Sequence, residues 1–207
     1  MMSRQSSPGS LYPFHPSQTQ PELTSSAVLY RGDQRLPHDS GNPISLDTLS
    51  QLGVIYREIP IDENKRWEGK IDEFAKERGY KNRDQITVTR EGLGAAYEDK
   101  IKSFFDEHLH EDEEIRYILA GSGYFDVRGI NPPFADRWIR ISLTSGDLIV
   151  LPAGIYHRFT VDSNNTITAM RLFQDEPKWT PYSRSLPDTD ERAARGEYLE
   201  QVKAVGA

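Results

Sequence analysis

The chain has 207 residues, 25 Lys+Arg against 32 Asp+Glu, a formal net charge of −7 and no cysteine. That length suits one domain with its own core. The acidic balance argues against a nucleic-acid footprint, the missing cysteine removes disulfide and thiol chemistry, and no apolar run is long enough to span a membrane.

Residues 1–28 hold seven Ser and four Pro with few large apolar groups. Such a segment cannot bury enough surface to offset its ordering entropy, so residues 1–27 are expected to be a disordered tail and 28–207 a single domain. Arg4 with scattered serines lacks an amphipathic pattern and reads as part of an untargeted tail. Ser45 can cap a short helix through Leu52, with Gly53 as its stop. Val54–Ile59 reads as a strand. Ile71, Phe74, Ala75 and Arg78 form a helical stripe ended by Gly79. Ile86 and Val88 alternate with polar residues, as strand or extended loop. Leu93, Tyr97, Ile101, Phe104 and Phe105 recur at helical spacing, which predicts one helix leading to His108.

From His108 the pattern turns to β. Ile115–Leu119 and Tyr124–Val127 flank Gly121-Ser122-Gly123, a hairpin signal. A Pro-rich loop, 129–136, is followed by short strands at Trp138–Leu143, Leu148–Leu151, Tyr156–Val161 and Ile167–Phe173. Gly146-Asp147 and Pro152-Ala153-Gly154 supply turns. Many short strands with regular turns mean a sandwich or barrel. Asp188 or Asp190 can cap a last helix through Val202, packed on the outside.

The chemistry gathers in two of these segments. Of five histidines, three are His108, His110 and His157. If residues 108–114 are extended, His108, His110 and Glu114 share one face and Arg116 continues it. Imidazole nitrogen and carboxylate oxygen suit divalent iron, nickel, manganese or zinc. HxH pairs also arise by chance, and a run such as Glu111–Glu114 is in many chains only a solvated acidic face. Arg116 can equally form a salt bridge with a neighbouring acid, and Phe104 and Phe159 can equally be core. His38 and His15 lie outside the constellation and receive no role.

HxHxxxE-x6-Gly121, followed by Gly146-x5-Pro152-x-Gly154-x2-His157, resembles the two signature motifs of the cupin superfamily. The glycine that usually opens the first motif is Lys102 here and the asparagine that often closes the second is Val161; neither is a ligand position. EHLHEDEEIRYILAGSGYFDVR, LPAGIYHRFT and AMRLFQDEPKWTPYSR resemble the acireductone dioxygenase family more narrowly, over about Leu29 to Leu199. The resemblance implies a mainly β, cupin-type β-barrel (a jelly roll) with a few peripheral α-helices. It implies His108, His110, Glu114 and His157 as metal ligands, one Fe(2+) per chain with Ni(2+) as the alternative. Arg116 would contact the substrate oxygens and act in catalysis, and Phe104 and Phe159 would line the pocket for the methylthio end. The substrates would be acireductone, 1,2-dihydroxy-5-(methylthio)pent-1-en-3-one, and O2. The expected enzyme is a monomer of methionine salvage without nucleic-acid or membrane partner, cytoplasmic with the nucleus as a second location. Two alternatives stay open: manganese-dependent oxalate-type chemistry on the same ligands, and a metal-stabilised binding module without turnover.

Overall fold

The computed structural model describes residues 23–26, 32–176 and 180–205. In chain order the elements are β1 (Leu23–Ser26), α1 (Leu46–Gln51), β2 (Ile55–Glu58), α2 (Arg66–Arg78), β3 (Asn82–Thr89), α3 (Arg90–Leu93), α4 (Tyr97–Phe105), β4 (His108–Leu109) and β5 (Glu114–Arg128). There follow β6 (Trp138–Thr144), β7 (Asp147–Leu151), β8 (His157–Val161), β9 (Thr166–Phe173), β10 (Tyr182–Ser183) and α5 (Ala193–Val205).

The fold is built around β5. Its C-terminal half pairs antiparallel with β6 and β8, its N-terminal half with β7 and β9. One sheet therefore runs β1-β6-β5-β8-β4-β10 and the other β2-β7-β5-β9-β3. The main core joins inward residues of both: Ile118, Ile149, Leu151 and Ala169 from one, Phe125, Val127, Ile139, Ile141 and Val161 from the other. This is the mainly β, cupin-type arrangement, although among the described residues the sheet path does not close by backbone pairing.

Gly121-Ser122-Gly123 does not reverse the chain, as a hairpin would require. It lies inside β5, next to a bulge between Ile118 and Ala120. The bulge adds one residue and so changes the facing parity. Before it the even-numbered Glu114, Arg116 and Ile118 point inward; after it Phe125 and Val127 do. Gly121 sits at φ +75, and a Cβ there would come within 2.2 Å of the Thr166 carbonyl oxygen. Only glycine allows β5 to cross from one sheet to the other at this point.

The other face of the second sheet is covered by α2. Ile71, Phe74 and Ala75 pack on Ile115, Tyr117, Leu148 and Val150, and the helix ends at Gly79 in a left-handed cap. The cap of α1 is as expected, with Ser45 Oγ accepting from the Thr48 N–H. Helix α5 buries Tyr198 and Val202 in the main core.

Three further expectations are corrected. The helix expected before His108 is broken: Gly94, at φ +53 and ψ −132, separates α3 from a 3-10 turn and α4. Asp188 and Asp190 do not cap the last helix, which begins at Ala193; Asp190 instead accepts the Tyr156 hydroxyl. Of the expected disordered tail, Leu23–Ser26 pair with β6 as β1, and the remaining residues lie outside the described ones. Composition speaks to side-chain burial, whereas an edge strand can be held through its backbone alone.

Candidate metal centre

His108 stands at the start of β4, Glu114 at the start of β5 and His157 at the start of β8. The register sets His108 opposite His157, and His157 opposite Val127 of β5. Strand β4 stops after Leu109, so residues 110–113 are not the extended run that simple alternation assumes. The expected grouping nonetheless forms. One ligand atom from each of His108, His110, Glu114 and His157 lies within 4.8 Å of the others.

The rings are oriented by carbonyls. His108 Nδ1 is 2.7 Å from Asp106 O, His110 Nδ1 is 3.0 Å from Thr180 O, and His157 Nδ1 is 3.0 Å from Ile155 O. A carbonyl oxygen can only accept, so each Nδ1 carries the proton and each Nε2 lone pair is available. Glu114 Oε2 lies 2.8 Å from His157 Nε2 and 3.4 Å from His110 Nε2. Acceptors this close are reconciled by a proton or by a cation among them.

The electrostatics favour ligand-competent states. Burial, aided by repulsion from His157, pushes His108 down to about 3. Burial likewise lowers His110. Burial alone would raise Glu114, but Arg116, His157 and His110 together hold it well below the usual carboxylate range. Neutral imidazoles at His108 and His110 beside an ionised Glu114 are what a divalent cation requires of these side chains. The donor set thus fits Fe(II) or Ni(II), and equally other borderline divalent ions.

Arg116 makes a salt bridge with a neighbouring acid, and that acid is the candidate ligand itself: Nη2 lies 2.8 Å from Glu114 Oε1. Phe104 and Phe159 meet edge-on at 6.2 Å between centroids. Phe159 is also 5.0 Å from Phe125, whose ring lies 6.2 Å from His157. Phe125 escaped sequence reading because its facing depends on the β5 bulge. The three carbonyls escaped because any residue type can offer one. His38 bonds to Asp33 O through Nε2 at 2.8 Å and is no part of the cluster; His15 lies outside the described residues.

Comparison with known proteins gives this cluster a context. The profile of the ARD/ARD' family matches residues 29–181, a span that holds all four ligands. The chain belongs to the ARD/ARD' family. An acireductone dioxygenase of Emericella nidulans is 61% identical over 173 residues, 84% of this chain and 91% of that protein. An acireductone dioxygenase of Aspergillus fumigatus is 56% identical over 172 residues, 83% of this chain and 92% of that protein. Among solved structures, Bacillus anthracis acireductone dioxygenase with a cadmium ion in its active centre superimposes with a TM-score of 0.56. It is 25% identical and covers 65% of this chain and 86% of that one.

Proposed function

We propose that this chain is a metal-dependent dioxygenase of methionine salvage acting on acireductone and O2. The observation that carries the reading is the convergence of three carbonyl-oriented imidazoles and one ionised carboxylate between the sheets of an ARD/ARD' fold. His108, His110, Glu114 and His157 would hold one Fe(II) per chain, with Ni(II) as the alternative. A divalent cation bound there supplies Lewis acidity and a template for a bidentate enediolate.

The side chains around the site do the rest. The three carbonyl contacts favour one tautomer and one orientation of each imidazole, with Nε2 left to bind metal. Arg116, always charged and forked, keeps Glu114 ionised and has the geometry to meet a substrate oxyanion. Phe104 and Phe159 give an apolar wall suited to a methylthio group. With Fe(II) the expected products are 4-methylthio-2-oxobutanoate and formate; with Ni(II) they are 3-(methylthio)propanoate, formate and carbon monoxide. We place the enzyme in the cytoplasm, with the nucleus as a second location, and as a monomer.

The test is oxygen consumption by the Fe(II)-loaded chain on adding acireductone, with product analysis of the same sample. Uptake with release of the keto acid and formate supports the reading. A fully loaded protein that consumes no oxygen points instead to a metal-stabilised module, and turnover of oxalate in place of acireductone to oxalate-type chemistry.

A further inference from the structure

The three ligand histidines are not held alike. His108 and His157 each bond a carbonyl two residues earlier in their own segment, Asp106 and Ile155. His110 bonds the Thr180 carbonyl, 70 positions along the chain. Its ring orientation therefore depends on how the stretch 180–192 is fastened to β4.

That stretch grips both sides of the His-Leu-His tripeptide. On the N-terminal side is Glu107. Arg184 Nη1 donates to its Oε1 at 2.7 Å, and the Arg184 backbone N–H donates to its carbonyl at 2.8 Å. On the C-terminal side is Glu111. Arg192 Nη1 donates to its Oε1 at 2.9 Å, and the Tyr182 hydroxyl reaches its Oε2 at 3.3 Å. The Arg192 guanidinium lies 3.3 Å over the Tyr182 ring. Between these grips, Tyr182 and Ser183 pair with Leu109 and His108 as β10. Thr189, fully buried, closes the stretch on itself by donating from Oγ1 to Ser183 O at 2.7 Å. A two-residue strand is marginal, and a partly exposed ion pair is weak alone. Set on both flanks of one tripeptide, they act on the same displacement.

We propose that residues 180–192 form a clasp that positions His110 for metal, with Tyr182, Arg184 and Arg192 as positioning residues. The proposal rests on the reading of the cluster as a metal site.

The test compares the full chain with its Arg184→Ala/Arg192→Ala variant and with Glu111→Gln. Arg184 is 37% exposed and Arg192, 24% exposed, is partly buried, so the metal-free melting temperature is measured beside affinity and is expected to fall by only a few degrees. Cobalt(II) affinity, read by competition with a chromophoric chelator, is expected to fall roughly 10–100-fold, the usual effect of losing groups that orient a ligand. Lysine at both arginine positions should recover part of that loss. In the zinc-loaded protein the Nδ1 proton resonance of His110 should weaken by exchange in the variants, while those of His108 and His157 persist. Wild-type cobalt affinity in the variants, with all three resonances intact, overturns the clasp. A lower melting temperature with unchanged affinity assigns the arginines to stability alone and overturns it too. A wild-type chain that binds no cobalt sinks the metal reading itself.

Discussion

Replacing Asp126 by alanine should destabilise the fold by removing the carboxylate that buried Arg140 and partly buried Arg158 share. Asp126 lies opposite Arg140 on β6 and Arg158 on β8, on the face of β5 turned away from Phe125 and Val127. Arg140 donates from Nε and Nη2 to its two oxygens at 2.7 and 3.0 Å, and Arg158 from Nε at 2.8 Å. Asp126 and Arg140 are each only 1% exposed, so solvent screening does little to weaken the pair. Removing one member of a buried ion pair costs about 3–5 kcal/mol, because the remaining charge stays desolvated. Here two guanidiniums lose the same anion. They keep other contacts: Arg140 donates to Leu36 O at 2.6 Å and lies over Tyr124, while Arg158 lies over Phe105 and Trp138. These favour the lower part of the range. For a chain of this size each kcal/mol moves Tm by about 2–4 °C, so a cost near about 3 kcal/mol corresponds to a drop of roughly 6–12 °C. Urea unfolding of the metal-free protein, with the m-value compared to show that the denatured state is unchanged, measures the loss. A cost below about 1 kcal/mol would refute the reasoning, since carbonyls and aromatic rings would then suffice to hold both cations.

Three further outcomes are expected. His157→Ala should lose most bound metal and all but trace turnover, since it removes a donor that lies 2.8 Å from Glu114; elemental analysis of protein purified without added metal checks this, and full metal content with normal activity would contradict it. Arg116→Lys should keep metal yet lower kcat/KM by about 10–100-fold, the equivalent of one charged hydrogen bond in the fork. Steady-state kinetics beside metal content decides, and equal loss of both would assign Arg116 to the Glu114 salt bridge alone. One polypeptide, stripped and reloaded, should give the keto acid with Fe(II) and release carbon monoxide with Ni(II); gas analysis showing equal carbon monoxide from both would end the idea that the metal selects the product.

Parts of the molecule were legible because they rest on local chemistry. Ser45 and Gly79 mark helix ends through capping and a left-handed turn, which operate within a few residues. The apolar strand β7 declares itself by a continuous buried run. Gly121-Ser122-Gly123 misled because glycine signals a conformation, not a direction: the same positive φ serves a hairpin or a bent, bulged strand. Which one occurs is decided by where β6, β8, β7 and β9 pair, information spread over sixty residues. Gly94 was overlooked for the converse reason, since a helical stripe continues in sequence through a break in backbone.

The ligand set follows from the family resemblance, and strand alternation accounts for only part of its convergence. Alternation along one extended run would place His108, His110 and Glu114 by period alone. In the fold, β4 ends at Leu109 and β5 begins at Glu114; His108 pairs with His157 of β8, while Glu114 pairs with Leu151 of β7 and β8 meets β5 only further on, at Gly123–Val127. The spacing HxHxxxE therefore encodes less a strand than the length of chain needed to step from β4, beside His157, to the start of β5, beside β7. Within that step only His108 is held by its own segment, while His110, on the unpaired side, takes its Nδ1 acceptor from Thr180. A residue in the connecting turn, outside regular pairing, needs an anchor from elsewhere in the chain, and this is why the contacts of the stretch after β9 bear on the metal site.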